Sequence, residues 1–136
     1  MAGKTFKLEI ITPRKVVYSG DVESFSAPGV IGNFQVLVNH APLLAHISVG
    51  EVKLRDAVGS DIRYATSGGF VEVSNNHAVL LAETAELPEE IDVNRAQAAR
   101  DRAQKRIEEH PAGTDVDRAR MALYRAVNRL LVAGRQ

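Results

Sequence analysis

The periodicity of the chain changes at Pro88, and that change limits what the sequence can fold into. Four of the five prolines and eight of the ten glycines lie at or before this residue. Before it, apolar residues alternate with polar ones: Phe6, Leu8 and Ile10 against Lys7 and Glu9, then Phe34, Val36 and Val38, then Val52 and Leu54 against Lys53 and Arg55, then Ile62 and Tyr64 around Arg63. Period-two alternation is the mark of strands with one buried face. Ser19-Gly20-Asp21, Val58-Gly59-Ser60-Asp61 and Ser74-Asn75-Asn76 are turn signals between them, and short strands so punctuated predict an antiparallel β-sandwich or barrel. After Pro88 come nine alanines, ten basic and eight acidic residues and one proline, a helical composition. The fold class expected is β followed by α: a sandwich over residues 1–87 and a two-helix antiparallel hairpin over 88–136.

Each half carries its own boundary signals. The first helix is expected to start near Ile91, with Glu89 and Glu90 complementing its positive N-terminal end. It should break at His110-Pro111-Ala112-Gly113. The second should be capped by Thr114 or Asp115. Val116, Ala119, Leu123, Ala126, Val127 and Leu130 form its buried stripe, and Ala96, Ala99, Ala103 and Ile107 that of the first helix. An alanine seam lets helices approach closely but buries little area, so the hairpin could open without unfolding the sandwich.

Several function classes find no support. Lys plus Arg equals Asp plus Glu at 17 each, unlike the basic excess of a general nucleic-acid binder. There is no cysteine, hence no disulfide framework or thiolate metal site. No P-loop is present. Ser67-Gly68-Gly69-Phe70 lacks the glycine that a nucleophile elbow needs before its serine, and reads as a bulge or close backbone approach. His40, His46, His77 and His110 have no metal-ligand spacing. The apolar runs are far too short to span a membrane and MAGKTFKLEII is not a secretory leader, so a soluble, non-catalytic protein that keeps its N-terminus is expected.

Two features remain open to a partner or a ligand. Residues 27–34, with Val30 and Ile31 near the middle, read as a long turn, and residues 39–44 as a second loop carrying Leu43 and Leu44. These apolar residues either fold back on the core or form a contact patch. In EIDVNRAQAARDRAQKRI, residues 90–107, Arg95, Arg102 and Arg106 fall on one strip of the helical wheel, and Arg118, Arg125 and Arg129 cluster on the second helix. Such strips are either solvated faces or guanidinium clusters suited to phosphate or to a carboxylate-rich surface.

Read in order, the chain resembles the epsilon subunit of the F-type ATP synthase, bacterial type. The residues that carry the resemblance are Val22-Glu23-Ser24, Pro28-Gly29, Gly32-Asn33-Phe34, His40-Ala41-Pro42-Leu43-Leu44, Ser67-Gly68-Gly69-Phe70-Val71-Glu72-Val73, Leu80-Leu81-Ala82-Glu83-Thr84-Ala85-Glu86 and Ile91-Asp92-Val93-Asn94-Arg95-Ala96. Gln35 and Val38 depart from the family's usual glycine and proline. The resemblance implies a non-catalytic rotor subunit of the central stalk, coupling proton flow to ATP synthesis at the cytoplasmic face of the cell inner membrane, or at the stromal face of a plastid thylakoid. It implies the gamma subunit and the c-ring as partners, through Val30, Ile31, Asn33, His40, Pro42 and Leu43. It implies alpha and beta subunits as partners of an extended, inhibitory hairpin. It requires no cofactor and admits one regulatory ligand, ATP, held by Glu86, Ile91, Asp92, Arg95, Ala96, Arg102, Arg125 and Arg129.

Overall fold

In a computed structural model, residues 4–134 are described. Nine strands are followed by two helices: β1 (Phe6–Ile11), β2 (Val16–Gly29), β3 (Gly32–Val36), β4 (Leu43–Ile47), β5 (Gly50–Asp56), β6 (Asp61–Thr66), β7 (Gly69–Ser74), β8 (His77–Ala82), β9 (Ala85–Glu86), α1 (Val93–Glu109) and α2 (Val116–Ala133). The chain divides into two compact units after Glu86.

The strand unit is a sandwich whose two sheets share the long β2. Its first half pairs with β1, and β1 pairs in parallel with β8, followed by β7 and β4. Beyond Val22 the same strand pairs with β5 and then with β3, and β5 continues to β6 and β9. At its end a single pair, Gly29 with Ile47, reaches β4. The alternating residues Leu8, Ile10, Val22, Phe25, Val36, Ile47, Val52, Leu54, Val71 and Leu80 are essentially solvent-free and form the core. Thr66, the one buried polar residue among those described, is satisfied locally, accepting from the Gly68 amide at 3.3 Å.

Two local expectations change and one is borne out. Ser19-Gly20-Asp21 is not a turn but the middle of β2, paired with Glu9, Leu8 and Lys7. The β1 ladder supplies the backbone partners there, and the Tyr18 ring lies over Gly20, its hydroxyl 3.2 Å from where a Cβ would stand. The turn between β1 and β2 falls at residues 12–15, closed by Thr12 N–H donating to Lys15 O at 2.9 Å. Residues 27–34 are not a long turn but the end of a β-hairpin, with only Val30 and Ile31 between paired Gly29 and Gly32. Gly69 bears out the close approach: at φ 152°, its absent Cβ would sit 2.0 Å from Leu81 O.

In the helical unit Pro88–Glu90 forms a 3-10 turn, in which Glu90 accepts from Leu87 N–H at 2.8 Å. The two glutamates therefore precede α1 rather than populate its first turn, which contains no acidic residue. Asp92 and Asp115 cap the helices, accepting from the amides of Arg95 and Arg118 at 3.1 Å each. His110 ends α1 in the left-handed conformation, φ 51°. The seam is built from Ala96, Ala103, Ala119 and Ala126, all buried. Val127, expected in it, is 37% exposed; Val132 and Ala133 are buried near the end of α2 instead.

Candidate functional site: an apolar sheet face and an arginine-bearing hairpin

The two loops expected to make contacts are not brought together. Val30 and Ile31 cap the β2–β3 hairpin, 58% and 103% exposed, and Val30 N–H donates to His46 O at 2.9 Å, which places them at the Ile47 end of β4. Asn33 is exposed nearby. Residues 39–42 stand at the other end of the strand, tied to the β7–β8 turn by Asn39 N–H donating to Asn76 Oδ1 at 2.6 Å and Asn76 Nδ2 donating to Asn39 Oδ1 at 2.9 Å. There Pro42 is exposed, Leu43 half-buried, and His40 half-buried with Nδ1 2.6 Å from Ala41 O. A five-residue strand separates the groups by roughly 13 Å.

What joins them is a row of residues on the outer face of the first sheet. Cross-strand register aligns Val16 with Ile11, Ile11 with Leu81, Leu81 with Phe70 and Phe70 with His46. The row therefore runs across five strands. Val16, Leu81 and Phe70 are 54%, 55% and 52% exposed, and the His46 and Phe70 rings stack with centroids 4.7 Å apart. Leu44, 73% exposed, extends the row toward Pro42. Scattered surface apolar residues need no explanation, but a contiguous band on a sheet face marks an interaction surface. Sequence reading missed Val16, Phe70 and Leu81. For Phe70 and Leu81 the signal was there: each is an apolar residue at a position where its own strand's alternation calls for a polar one. Val16 shares the parity of buried Val22 and is turned outward by the register shift between β1 and β2.

In the helical unit Asp92, Arg95 and Ala96 share the first turn of α1 region, Asp92 as the cap and Ala96 fully buried, with Ile91 buried just before them. Arg102 lies two turns further along. Arg125 and Arg129 lie in the second half of α2, which in a two-helix hairpin runs beside the first half of α1; α2 also touches the 3-10 turn that precedes α1. Arg100, Lys105 and Arg120 are spent on neighbouring carboxylates, Asp101, Glu109 and Asp117. Arg95, Arg102, Arg106, Arg118 and Arg125 form no ion pair with any described residue. Arg129 has partners of its own. Glu86 belongs to the other unit, in β9, where it pairs with Ala65.

No group of three or more His, Asp or Glu able to hold a metal ion occurs among the described residues. No helix there is long and apolar enough to cross a membrane.

Comparison with known proteins matches both units. The profile of the ATP synthase delta/epsilon chain beta-sandwich domain covers residues 5–88, and that of the delta/epsilon chain long alpha-helix domain covers 89–134. The ATP synthase epsilon chain of Moorella thermoacetica is 47% identical over 130 residues, spanning 96% of this chain and 97% of that one. That of Syntrophomonas wolfei is 45% identical over 130 residues, spanning 96% and 95%. Among solved structures, a chain in the OSCP/F1/c-ring structure of the Euglena gracilis mitochondrial ATP synthase shares the fold, with a TM-score of 0.83 at 19% identity over 100% of this chain and 84% of its own. With both domains matched in order and near-complete overlap with bacterial relatives, this chain belongs to the ATP synthase delta/epsilon chain family, on its epsilon branch.

Proposed function

We propose that the chain is a non-catalytic subunit of the central stalk of a proton-translocating F-type ATP synthase, coupling rotation to ATP synthesis while its helical hairpin restrains ATP hydrolysis. The observation that carries the stalk reading is the exposed row Val16–Ile11–Leu81–Phe70–His46. A free monomer gains nothing from it, whereas a partner subunit covering it recovers the hydrophobic free energy of five strands' worth of side chains. In this reading the gamma subunit covers the row, and the c-ring meets one or both loop ends, Val30–Ile31–Asn33 and His40–Pro42–Leu43. The complex, not the chain, holds the protein at the cytoplasmic face of the membrane.

The hairpin is the regulatory element. Its seam is mostly methyl groups, at roughly 0.8 kcal/mol for each carbon buried, so a compact and an extended form differ by little. ATP would favour the compact form by binding it preferentially. Arg95, Arg102 and Arg125, without ion-pair partners among the described residues, supply guanidinium forks for its phosphates, and Arg129 joins them by exchanging its present partners. The extended form presents basic α2 to the alpha and beta subunits.

The test is reconstitution of the head and gamma subunit with and without the full chain. Addition should lower ATP hydrolysis, millimolar ATP should relieve the inhibition, and Arg95→Ala or Arg125→Ala should abolish that relief. Hydrolysis indifferent to the chain would remove the inhibitory role. Inhibition unresponsive to ATP would leave a structural clamp without a nucleotide site.

A further inference from the structure

The outer face of the second sheet carries a different chemistry. Register sets Gln35 beside Ser26, Ser26 beside Lys53, and Lys53 beside Arg63; in the adjoining row Ser24 is beside Arg55 and Arg55 beside Asp61. These side chains, with Lys4, Glu23, Leu37 and Val38, line an open groove of about 480 Å³, Arg63 excepted. We propose that this groove binds a phosphate-class oxyanion, independently of the apolar row and of the hairpin.

Three observations point the same way. The hydroxyls of Ser24 and Ser26 and the amide of Gln35 make no hydrogen bond with any described residue, so adjacent strands present a set of uncommitted donors. Asp61 holds the Arg55 guanidinium in a fork, Nε to Oδ1 at 3.0 Å and a terminal nitrogen to Oδ2 at 3.5 Å, and lies 3.7 Å from Lys53 Nζ. The hydrogen bond from Arg55 keeps the Asp61 carboxyl ionised, below the ordinary carboxylate range. The groove's cations Lys4, Lys53 and Arg55 still outnumber its two carboxylates, Glu23 and Asp61, and Arg63 stands directly across from Lys53. An anion seated over Ser26 and Lys53 meets the remaining excess of positive charge in the groove. Hydroxyl, amide and ammonium donors arriving from several directions suit a tetrahedral phosphate better than a planar carboxylate, which the Arg55 fork already has in Asp61.

The test is a heteronuclear NMR titration of inorganic pyrophosphate into the full chain at constant ionic strength, followed at both units. Saturable shifts are expected at Ser24, Ser26, Gln35, Lys53 and Arg55. In Lys53→Gln and Ser26→Ala the affinity should fall about tenfold each, the loss of one hydrogen bond to a charged group, while the spectrum otherwise stays native. Sedimentation with phosphatidylglycerol vesicles, measured alongside, assigns the source: co-sedimentation lost in Lys53→Gln means a lipid headgroup, and none means a free phosphate compound. Shifts that never saturate, that are unchanged in both variants, or that occur only in the hairpin would overturn the proposal.

Discussion

Replacing Phe70 by alanine should separate docking from folding. About half of the ring is exposed. A phenylalanine offers roughly 200 Å², so a partner that covers the row removes about 100 Å² more from water. At about 25 cal/mol per Å² this is ~2.5 kcal/mol, a ~60-fold loss of affinity for the gamma subunit. The half already buried against the sheet and stacked on His46 belongs to folding, and its loss should cost ~2 kcal/mol of stability. Binding is measured by calorimetry with isolated gamma subunit well below the melting temperature of the variant, so that unfolding does not enter. Leu81→Ala, 55% exposed and paired with Phe70, should behave similarly on a smaller scale. Val58→Ala is the control: Val58 is 86% exposed but sits in the β5–β6 turn, off the row. Affinity for Phe70→Ala within twofold of the parent, or an equal loss in Val58→Ala, would refute the assignment of the row as the stalk contact.

Two further outcomes follow from the sandwich itself. Gly69→Ala should abolish the folded state at ordinary temperature, read as loss of the cooperative melting transition, because its Cβ would fall 2.0 Å from Leu81 O and 2.9 Å from Ala82 Cα at a φ of 152°, and both obstacles are backbone of the paired strand. Asp61→Asn should flatten the acid limb of the stability profile: with its folded pKa held down by Arg55, the native carboxylate contributes stability that is present above the ordinary carboxylate pKa of about 3.9 and is lost as pH falls below it. Thermal melts of parent and variant between neutral pH and pH ~3 should therefore diverge at neutral pH and converge in acid.

The fold was legible wherever one face of an element is buried. Phe6, Leu8 and Ile10 alternate because one side of β1 faces the core, and the alanines of α1 and α2 repeat because one stripe of each helix faces its neighbour. The failures are places where a local signal lost to pairing. Ser19-Gly20-Asp21 has turn composition, yet β2 runs straight through it because it stays in register with β1 residue by residue and Tyr18 fills the space a glycine leaves. The residues 27–34 contain two glycines and a proline, yet strand pairing persists to Gly29 and Gly32, leaving the minimal connection.

The proposed contact surface was legible only in fragments, for a reason that lies in its construction. Loop residues such as Val30 and Ile31 draw attention by being apolar where the chain turns. A residue such as Phe70 is marked as outward by the alternation of Val71, Glu72 and Val73 in β7, but one outward phenylalanine does not by itself make a surface. Only alignment across strands converts Val16, Ile11, Leu81, Phe70 and His46, drawn from five segments spread over most of the sandwich, into one row. The same alignment gathers Gln35, Ser26, Lys53 and Arg63 on the second sheet. A sheet surface is thus written perpendicular to the sequence. Two such surfaces, one apolar and one cationic, on the outer faces of the two sheets give a single sandwich two separable chemistries, and substitutions in one should leave the other's readout unchanged.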